Sequence, residues 1–368
     1  MPEAVLHLVD CLNPGGTERQ LIEQCLRLDR HRWRPIVAAF HARGQLEPEL
    51  HRAGIAVATF PLRTQLIHTN TAEQIVRLAG LCRRERVRLI HAHDFYANLV
   101  GSAVARLAGT RLITSRRDCA HWLSPAQRWS LGTAFRAADR LLVNGTVLGE
   151  MAVRELGVDA ARVRVIHNGI DLDRFDAEAR LPPDPPLPST PPETATLVVL
   201  ANMHFQEKGH TDLLLALPHL QRSWRLLLVG GGVEQPRLEA MARELGLEKR
   251  VLFLGPRQDA PRILARADLA CSASWAEGMP NALLEAMAAS RPVVATTVGG
   301  CPELLAEGGG ELVPPHNPER LALAITNILS DPPRLRLLGN EARRSVEHRF
   351  TIQRAAKALD RLYCELLP

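Results

Sequence analysis

Residues 273–303 read ASWAEGMPNALLEAMAASRPVVATTVGGCPE, and the reading of the fold starts from them. Glu277 and Glu285 stand on either side of Gly278, Pro280 and Asn281. Leu283, Leu284 and Met287 then recur at helical spacing and predict an apolar helix face. Pro280 suits the first turn of that helix, where its missing N–H costs nothing. RPVVAT reads as a buried strand and Gly299-Gly300 as a turn. The unit gathers its polar residues at a loop and a helix start, with Glu277 in the loop and Glu285 on the second helical turn. Spacing alone leaves two readings open. One is a surface helix with two solvated glutamates. The other is a ligand site, in which helix-start amides and the helix dipole attract a diphosphate while the carboxylates accept from ribose and sugar hydroxyls.

The rest of the chain bounds the answer. Its 368 residues suffice for two domains, and 46% hydrophobic with 23% charged content is ordinary for a globular protein. No stretch reaches the roughly 18 apolar residues of a membrane span. MPEAVLHLVDCLNPGG lacks a basic start and a cleavage site, so it reads as a first strand and a glycine loop, not a signal peptide. Seven cysteines, at 11, 25, 82, 119, 271, 301 and 364, form no CxxC pair. That pattern suits a reducing, cytoplasmic setting with buried thiols and no structural zinc.

Charge is uneven. The net is +5, but the stretch through Leu172 carries 23 Arg against 16 acids, a balance of +7, and the remainder −2. Arg83, Arg84, Arg86 and Arg88 cluster in the basic half. They fit an anionic acceptor, an anionic inner-membrane face met peripherally, or simply a solvated helix end. Nucleic acid is a poor partner, because aromatics are 4% and no stacking platform shows. The chain has 42 Arg and three Lys, at 208, 249 and 357, so a lysine here invites a reason.

In chain order, AVLHLVD runs into Pro14-Gly15-Gly16 and then TERQLIEQCLRL at helical spacing, the opening of a doubly wound domain. Strand-like RPIVAAF, IAVATFPL, RLIHAHD and RLITSRRD follow, separated by helical stretches. Alternation of this kind implies a parallel sheet with function at the strand C-terminal ends. His91, His93 and Asp94 fall at one such end, and Ser115, Arg116, Arg117 and Asp118 at another. Two histidines two apart on a strand face one side, which suits zinc. No third ligand stands at a matching spacing, so the expectation is a polar strand end without metal. Arg117 and Asp118 read equally as a structural ion pair. Trp122 and Trp129 read as core or cleft wall. His167-Asn168-Gly169-Ile170-Asp171 reads as a turn. Seven prolines between 182 and 192 place an extended, semi-rigid linker there. TLVVLANMHFQEKGH opens a second domain, with a strand to Asn202 and Lys208-Gly209 before a helix, a plausible phosphate clamp. Gly230 to Gly232 end a further strand, and VLFLGPR another.

EGMPNALLEAMA, followed by RPVVAT and GGCPE, closely resembles the signature of glycosyltransferase family 4, the retaining "glycosyl transferases group 1" type with the GT-B fold. The resemblance covers nearly the whole chain. It implies an α/β architecture of two Rossmann-like, doubly wound domains facing across a cleft: 1–180, a proline-rich linker 181–193, 194–350, and a last helix, 351–368, crossing back to the first. By the same resemblance, GGTER brings Gly15 and Gly16 to the donor. IHAHD and the next strand end place His93, Asp94 and Arg116 on the acceptor side, and Gly231, Pro256 and Arg257 lie near the nucleotide. HNGID is similar to a PNGID sequence that closes the first domain. Two departures stand out. Relatives end the TSRRD strand in threonine–x–histidine, with that His near the reacting sugar, and arginine stands here instead. Relatives also carry an arginine beside the lysine on the phosphate loop, where this chain has Asn202.

The implied reaction moves a sugar from a UDP- or GDP-linked donor to a hydroxyl of a saccharide or lipid-linked saccharide. Glu277, Lys208 and Arg117 are the catalytic candidates. Gly278, Met279, Pro280, Asn281, Ala282 and Glu285 complete the donor site. No metal or cofactor is expected, since Lys208 and the helix start carry the diphosphate charge and no Asp-x-Asp pair occurs. Two other readings stay open: a silent nucleotide-sugar-binding partner of another transferase, favoured by Asn202 and TSRRD, and a GT-B sugar-nucleotide epimerase.

Overall fold

The computed structural model describes residues 2–41, 44–63, 69–119 and 123–367. They divide into two units: the chain up to Gly169 together with Ile352 onward, and Ile170–Thr351.

The first unit holds seven parallel strands: β1 (Glu3–Val9), β2 (Trp33–Ala39), β3 (Ala56–Thr59), β4 (Val87–Ala92), β5 (Arg111–Arg116), β6 (Arg140–Val143) and β7 (Val163–Val165). Their order is β3-β2-β1-β4-β5-β6-β7. Strands covered on both faces by helices must be apolar almost throughout. β1 obeys this except at its first residue, Glu3, which is half-exposed, and at His7, which is fully buried. The order reverses between β1 and β4, so the loops after those two strands diverge and leave a crevice at their C-terminal ends.

Helix Ile352–Leu366 belongs to this unit. Ile352, Ala355, Leu359, Leu362, Tyr363 and Leu366 recur at helical spacing and pack on Val5, Leu89, Ile113 and Leu142 of the sheet. At about 1.5–3 kcal/mol per large buried side chain, this face contributes on the order of 10 kcal/mol before entropy. Trp33 Nε1 donates to Asp360 Oδ1 at 2.5 Å and fixes the helix lengthwise.

The second unit holds β8 (Ala195–Leu200), β9 (Trp224–Val229), β10 (Val251–Gly255), β11 (Leu269–Ser272), β12 (Val293–Thr296) and β13 (Gly310–Val313), all parallel, in the order β10-β9-β8-β11-β12-β13. β8 stops at Leu200, short of the expected Asn202. One core lies under helices His210–Ala216, Gln235–Glu244 and Pro318–Leu329, the other under Asn281–Ala288 and Pro332–Arg349. The switch point lies between β8 and β11. The architecture is thus the doubly wound pair of Rossmann-like units that the alternation implied.

The join is not where the prolines suggested. Residues 170–180 belong to the second unit: Phe175 is in its core, Asp176 takes a bidentate pair from Arg343, and Glu178 pairs with Arg262. The proline-rich stretch is strapped to the same unit. Arg225 donates to Pro188 O at 2.6 Å, Arg257 to Pro185 O at 2.7 Å, and Asp184 N to Asp259 Oδ2 at 2.8 Å. Composition reported an extended segment correctly, but arginines capture its carbonyls, so it is no linker.

Candidate functional site

In the second unit the site grows from the two strands at the switch. After β8 a short turn, Gln206–Lys208, leads to Gly209 and helix His210–Ala216. Gly209 has φ +65°, and a Cβ there would lie 1.9 Å from Ala273 O, so the lysine turn sits directly on the loop after β11. Trp275 N donates to Glu207 O at 2.7 Å, and Trp275 Nε1 to Asp212 Oδ2 at 2.7 Å. These contacts bring Lys208 to Glu277, with Nζ 2.7 Å from Oε1. Ser274 Oγ donates to the same oxygen at 2.8 Å.

The carboxylate loop is held from its other side by the second glycine turn. Gly299 has φ +51°, and a Cβ there would meet Glu277 O at 1.9 Å; Gly300 N donates to Gly278 O at 2.7 Å. Helix Asn281–Ala288 then begins. Pro280 is its N-cap residue, one position before the first turn, and offers no side-chain cap. Asn281, Ala282 and Glu285 are half-buried, with Glu285 one turn along from Asn281. Leu283, Leu284 and Met287 face the core as expected.

The other donor-site candidates have varied surroundings. Met279 is buried in the core, so only its backbone can face a ligand. Arg257 is a brace: Nε and Nη2 both bind Asp259 at 2.7 Å, and this pairing raises the guanidinium above its usual range and lowers the carboxyl. Asn202 is exposed, its Oδ1 3.5 Å from His204 N, a local turn contact. Gly231 and Pro256 do meet, a Cβ at Gly231 lying 3.2 Å from the proline ring.

The first unit gathers its residues at the β1–β4 switch. Helix Gly16–Arg27 starts straight after Gly15, whose Cβ position is filled by the Glu18 carboxylate. Burial raises the Glu18 carboxyl, opposed by the charge of Arg117. Asp94 is the N-cap of helix Phe95–Ala108, accepting from Ala97 N at 2.9 Å and from Asp10 N at 2.6 Å. It ties the two switch strands together, and desolvation pushes it up to about 7. Arg116 is buried and braces the following loop, donating to Asp118 O and Cys119 O. Both side chains thus have structural partners within this unit.

Arg117 turns away from the anticipated pair with Asp118. Its Nη2 lies 3.2 Å from His93 Nδ1 and its Nη1 3.5 Å from Asn168 Oδ1, while Nε is buried without a partner among the described residues. Burial lowers it to about 10. The third imidazole that the HAHD motif lacked in sequence is His7: ring nitrogens of His7, His91 and His93 all lie within 4.8 Å of one another. The sequence signal was a polar residue inside a strand otherwise buried on both faces. Gln20 was also missed; its side chain pairs with both Gly169 N and Gly169 O at 3.0 Å.

Two further expectations concern the surface. Trp129 is not core but 71% exposed; Trp122 lies outside the described residues. The arginine run is largely paired: Arg83 donates to Leu107 O, Arg84 to Glu85, and Arg88 lies 3.7 Å from Glu3. No helix among the described residues is long and apolar enough to cross a membrane.

The family model "Glycosyltransferase Family 4" matches residues 14–174 and "Glycosyl transferases group 1" residues 194–331. A D-inositol 3-phosphate glycosyltransferase of Saccharomonospora viridis is 30% identical over 309 residues, 76% of this chain and 70% of that protein. One from Mycobacterium sp. (strain KMS) is 35% identical over 222 residues, 58% of this chain; here the match spans about half the relative's length, 49%. The crystal structure of Anabaena HepE in complex with UDP and glucose superposes with a TM-score of 0.85 at 23% identity, covering 99% of this chain and 100% of that one. The likeness in fold extends over both units, and the likeness in sequence runs through both motif regions. The chain belongs to the group 1 glycosyltransferases of family 4, with the GT-B fold.

Proposed function

We propose that the protein transfers a sugar, with retention and without a metal, from a nucleotide-diphosphate sugar to an acceptor hydroxyl. The observation that carries this reading is the Lys208–Glu277–Ser274 constellation at the start of helix Asn281–Ala288. Bond cleavage at the anomeric carbon leaves its electron pair on the diphosphate. Lys208 and the helix-start amides stabilise that charge where it develops. Glu285 holds the ribose hydroxyls, and Glu277 orients the transferred sugar. The acceptor oxygen bonds to the anomeric carbon as the bond to phosphate breaks, and the acceptor proton passes to the departing phosphate. Arg117, at the strand end where relatives carry a histidine, meets an anionic group of donor or acceptor.

UDP is favoured over GDP as the carrier because a neighbour of the same fold is solved with UDP and glucose. The acceptor class proposed is a saccharide or lipid-linked saccharide, met peripherally at an inner-membrane face. The support is the basic first half of the chain. Liposome co-sedimentation without preference for anionic lipid would remove it.

The test is a thermal-shift panel of UDP, GDP and ADP with their sugar conjugates, on wild type and Glu285→Ala. A ligand at 100 times its Kd stabilises by about 2.7 kcal/mol. A selective shift lost in the variant supports the reading. No shift from any nucleotide moves the silent-partner reading, which Asn202 favours, ahead of it.

A further inference from the structure

We infer that the three buried histidines of the first unit form a one-way hydrogen-bond chain that starts at Arg117 and that Tyr363 carries on to His91, so that the cluster holds the Arg117 guanidinium and not a metal ion. The chain's existence stands on geometry alone; its service to the reaction rests on the role proposed for Arg117.

The direction follows from what each group can do. A guanidinium only donates, so the 3.2 Å contact from Arg117 Nη2 makes His93 Nδ1 an acceptor. A ring that accepts cannot be an imidazolium, so His93 is neutral with its proton on Nε2. That proton points at His7 Nδ1, 3.1 Å away. The two rings are 14° from coplanar with centroids 5.3 Å apart, the arrangement of one imidazole donating edge-on to the next. His7 Nδ1 therefore accepts, and its proton too is on Nε2, directed to the Tyr363 oxygen at 3.5 Å, the loosest link. The tyrosine's own proton then goes to His91 Nδ1 at 2.8 Å. His91 in turn donates from Nε2 to Ser115 Oγ at 3.0 Å. One donor-only group at one end thus dictates every proton in the chain.

Two further observations agree. His7, His91, His93 and Tyr363 are buried at 1% exposure or less, where an unpartnered polar atom is costly and every ring nitrogen here has a partner. Burial, with the nearby charge of Arg117, holds all three rings well below their usual range. The same three imidazoles have the spacing to hold a metal ion. A metal would need lone pairs on nitrogens that the chain uses as donors, and it would sit beside a guanidinium. The hydrogen-bond reading leaves no such conflict.

The consequence is that the buried cluster offers Arg117 a fixed acceptor, and that the last helix supplies the link from His7 to His91. Without the Tyr363 hydroxyl, His91 is uncoupled from His7 and its tautomer is no longer fixed, while His93 and His7 keep theirs because Arg117 still sets them.

The test is long-range nitrogen–proton NMR on the full chain with labelled histidine and arginine, assigned with single His→Asn variants. At pH 7 we expect three neutral rings protonated on Nε2. An Nδ1-protonated or charged ring among them overturns the chain, as does elemental analysis finding stoichiometric zinc, nickel or copper lost on His7→Asn. Tyr363→Phe keeps the ring and removes the hydroxyl. It should give mixed tautomers at His91 alone and leave His93, His7 and the Arg117 guanidinium unchanged. Trp33→Phe loosens the same helix at Asp360 and should lower Tm while leaving the tautomers alone. If Tyr363→Phe leaves His91 unchanged or alters His93, or if Trp33→Phe changes His91 equally, the one-way chain fails. Correct tautomers in a protein that answers no nucleotide would keep the chain and retire the functional reading, so the two fail separately.

Discussion

Replacing Glu277 by Gln should tighten UDP binding and at the same time slow transfer. Glu277 Oε1 accepts from Lys208 Nζ at 2.7 Å and from Ser274 Oγ at 2.8 Å. Gln keeps the shape and an oxygen for Ser274 but removes the charge. A hydrogen bond to a charged group contributes a net of about 1.5–3 kcal/mol. The lysine side chain is 26% exposed, so screening brings its share to about 1 kcal/mol. In the variant that cation is available to the diphosphate, and repulsion between carboxylate and phosphate is gone. Both changes act in one direction, and about 1 kcal/mol lowers the Kd for UDP roughly fivefold. With the sugar attached, the charge-assisted contact to a sugar hydroxyl is lost in the transition state. At about 1.5–3 kcal/mol, kcat/KM falls roughly 10- to 150-fold. Calorimetric titration with UDP and steady-state turnover of the donor identified by the nucleotide panel measure the two effects. Weaker UDP binding in the variant, or turnover within about twofold of wild type, would refute the assignment of Glu277 to the sugar and Lys208 to the phosphate.

Gly299→Ala should misplace the same loop, because its φ of +51° disfavours a side chain and the new Cβ would meet Glu277 O. A cost of about 1–3 kcal/mol should appear as a lower melting transition with loss of the UDP shift; an unchanged UDP response would mean that Gly299 does not hold the loop. The pH dependence of the first unit tests the buried rings. His7 is lowered to about 3, and His91 and His93 well below 6.5. The unfolded chain binds protons at these rings below about pH 6.5 and the native one does not. Their contribution is therefore complete above 6.5 and lost as pH falls, by about 1.4 kcal/mol per pH unit for each ring. Asp94, raised to about 7, works in the opposite sense, because the native state keeps its proton where the unfolded chain has released it. His7→Asn should cut the slope between pH 4.5 and 6.5 by about 1.4 kcal/mol per unit, read from thermal unfolding across that range; an unchanged slope would mean His7 is charged in the native protein.

What the sequence disclosed was what periodicity and dense local motifs can carry. Strands buried on both faces must be apolar, so the alternation of both units was plain, and EGMPNALLEAMA confined its carboxylates to one loop and one helix. Contacts between residues distant in sequence were not plain. His7, His91 and Tyr363 come from the first strand, the fourth strand and the last helix, and nothing local marks them as one cluster. The side-chain partners of Arg257, Asp259 and the Pro185 carbonyl, could not be read from its strand end. Nor did the strand end at Asp94 disclose that a helix begins at the next residue and that two backbone N–H groups bind its carboxylate. The prolines of 182–192 told the truth about conformation and misled about connectivity, since arginines far along the chain bind their carbonyls.

The second unit is, in chain terms, an insertion within the first. Its two ends are already joined: Ile170 N donates to Phe350 O at 2.9 Å, and Ile170 bridges Thr351. The first unit, begun at the start of the chain, lacks its sealing helix until residues 352–366 have left the ribosome. Synthesis therefore finishes the inserted unit before it can finish the one that encloses it. Throughout the translation of 170–351, the sheet face formed by Val5, Leu89, Ile113 and Leu142 waits uncovered. That is where a nascent-chain chaperone would be needed, and where a prematurely terminated product would be sticky.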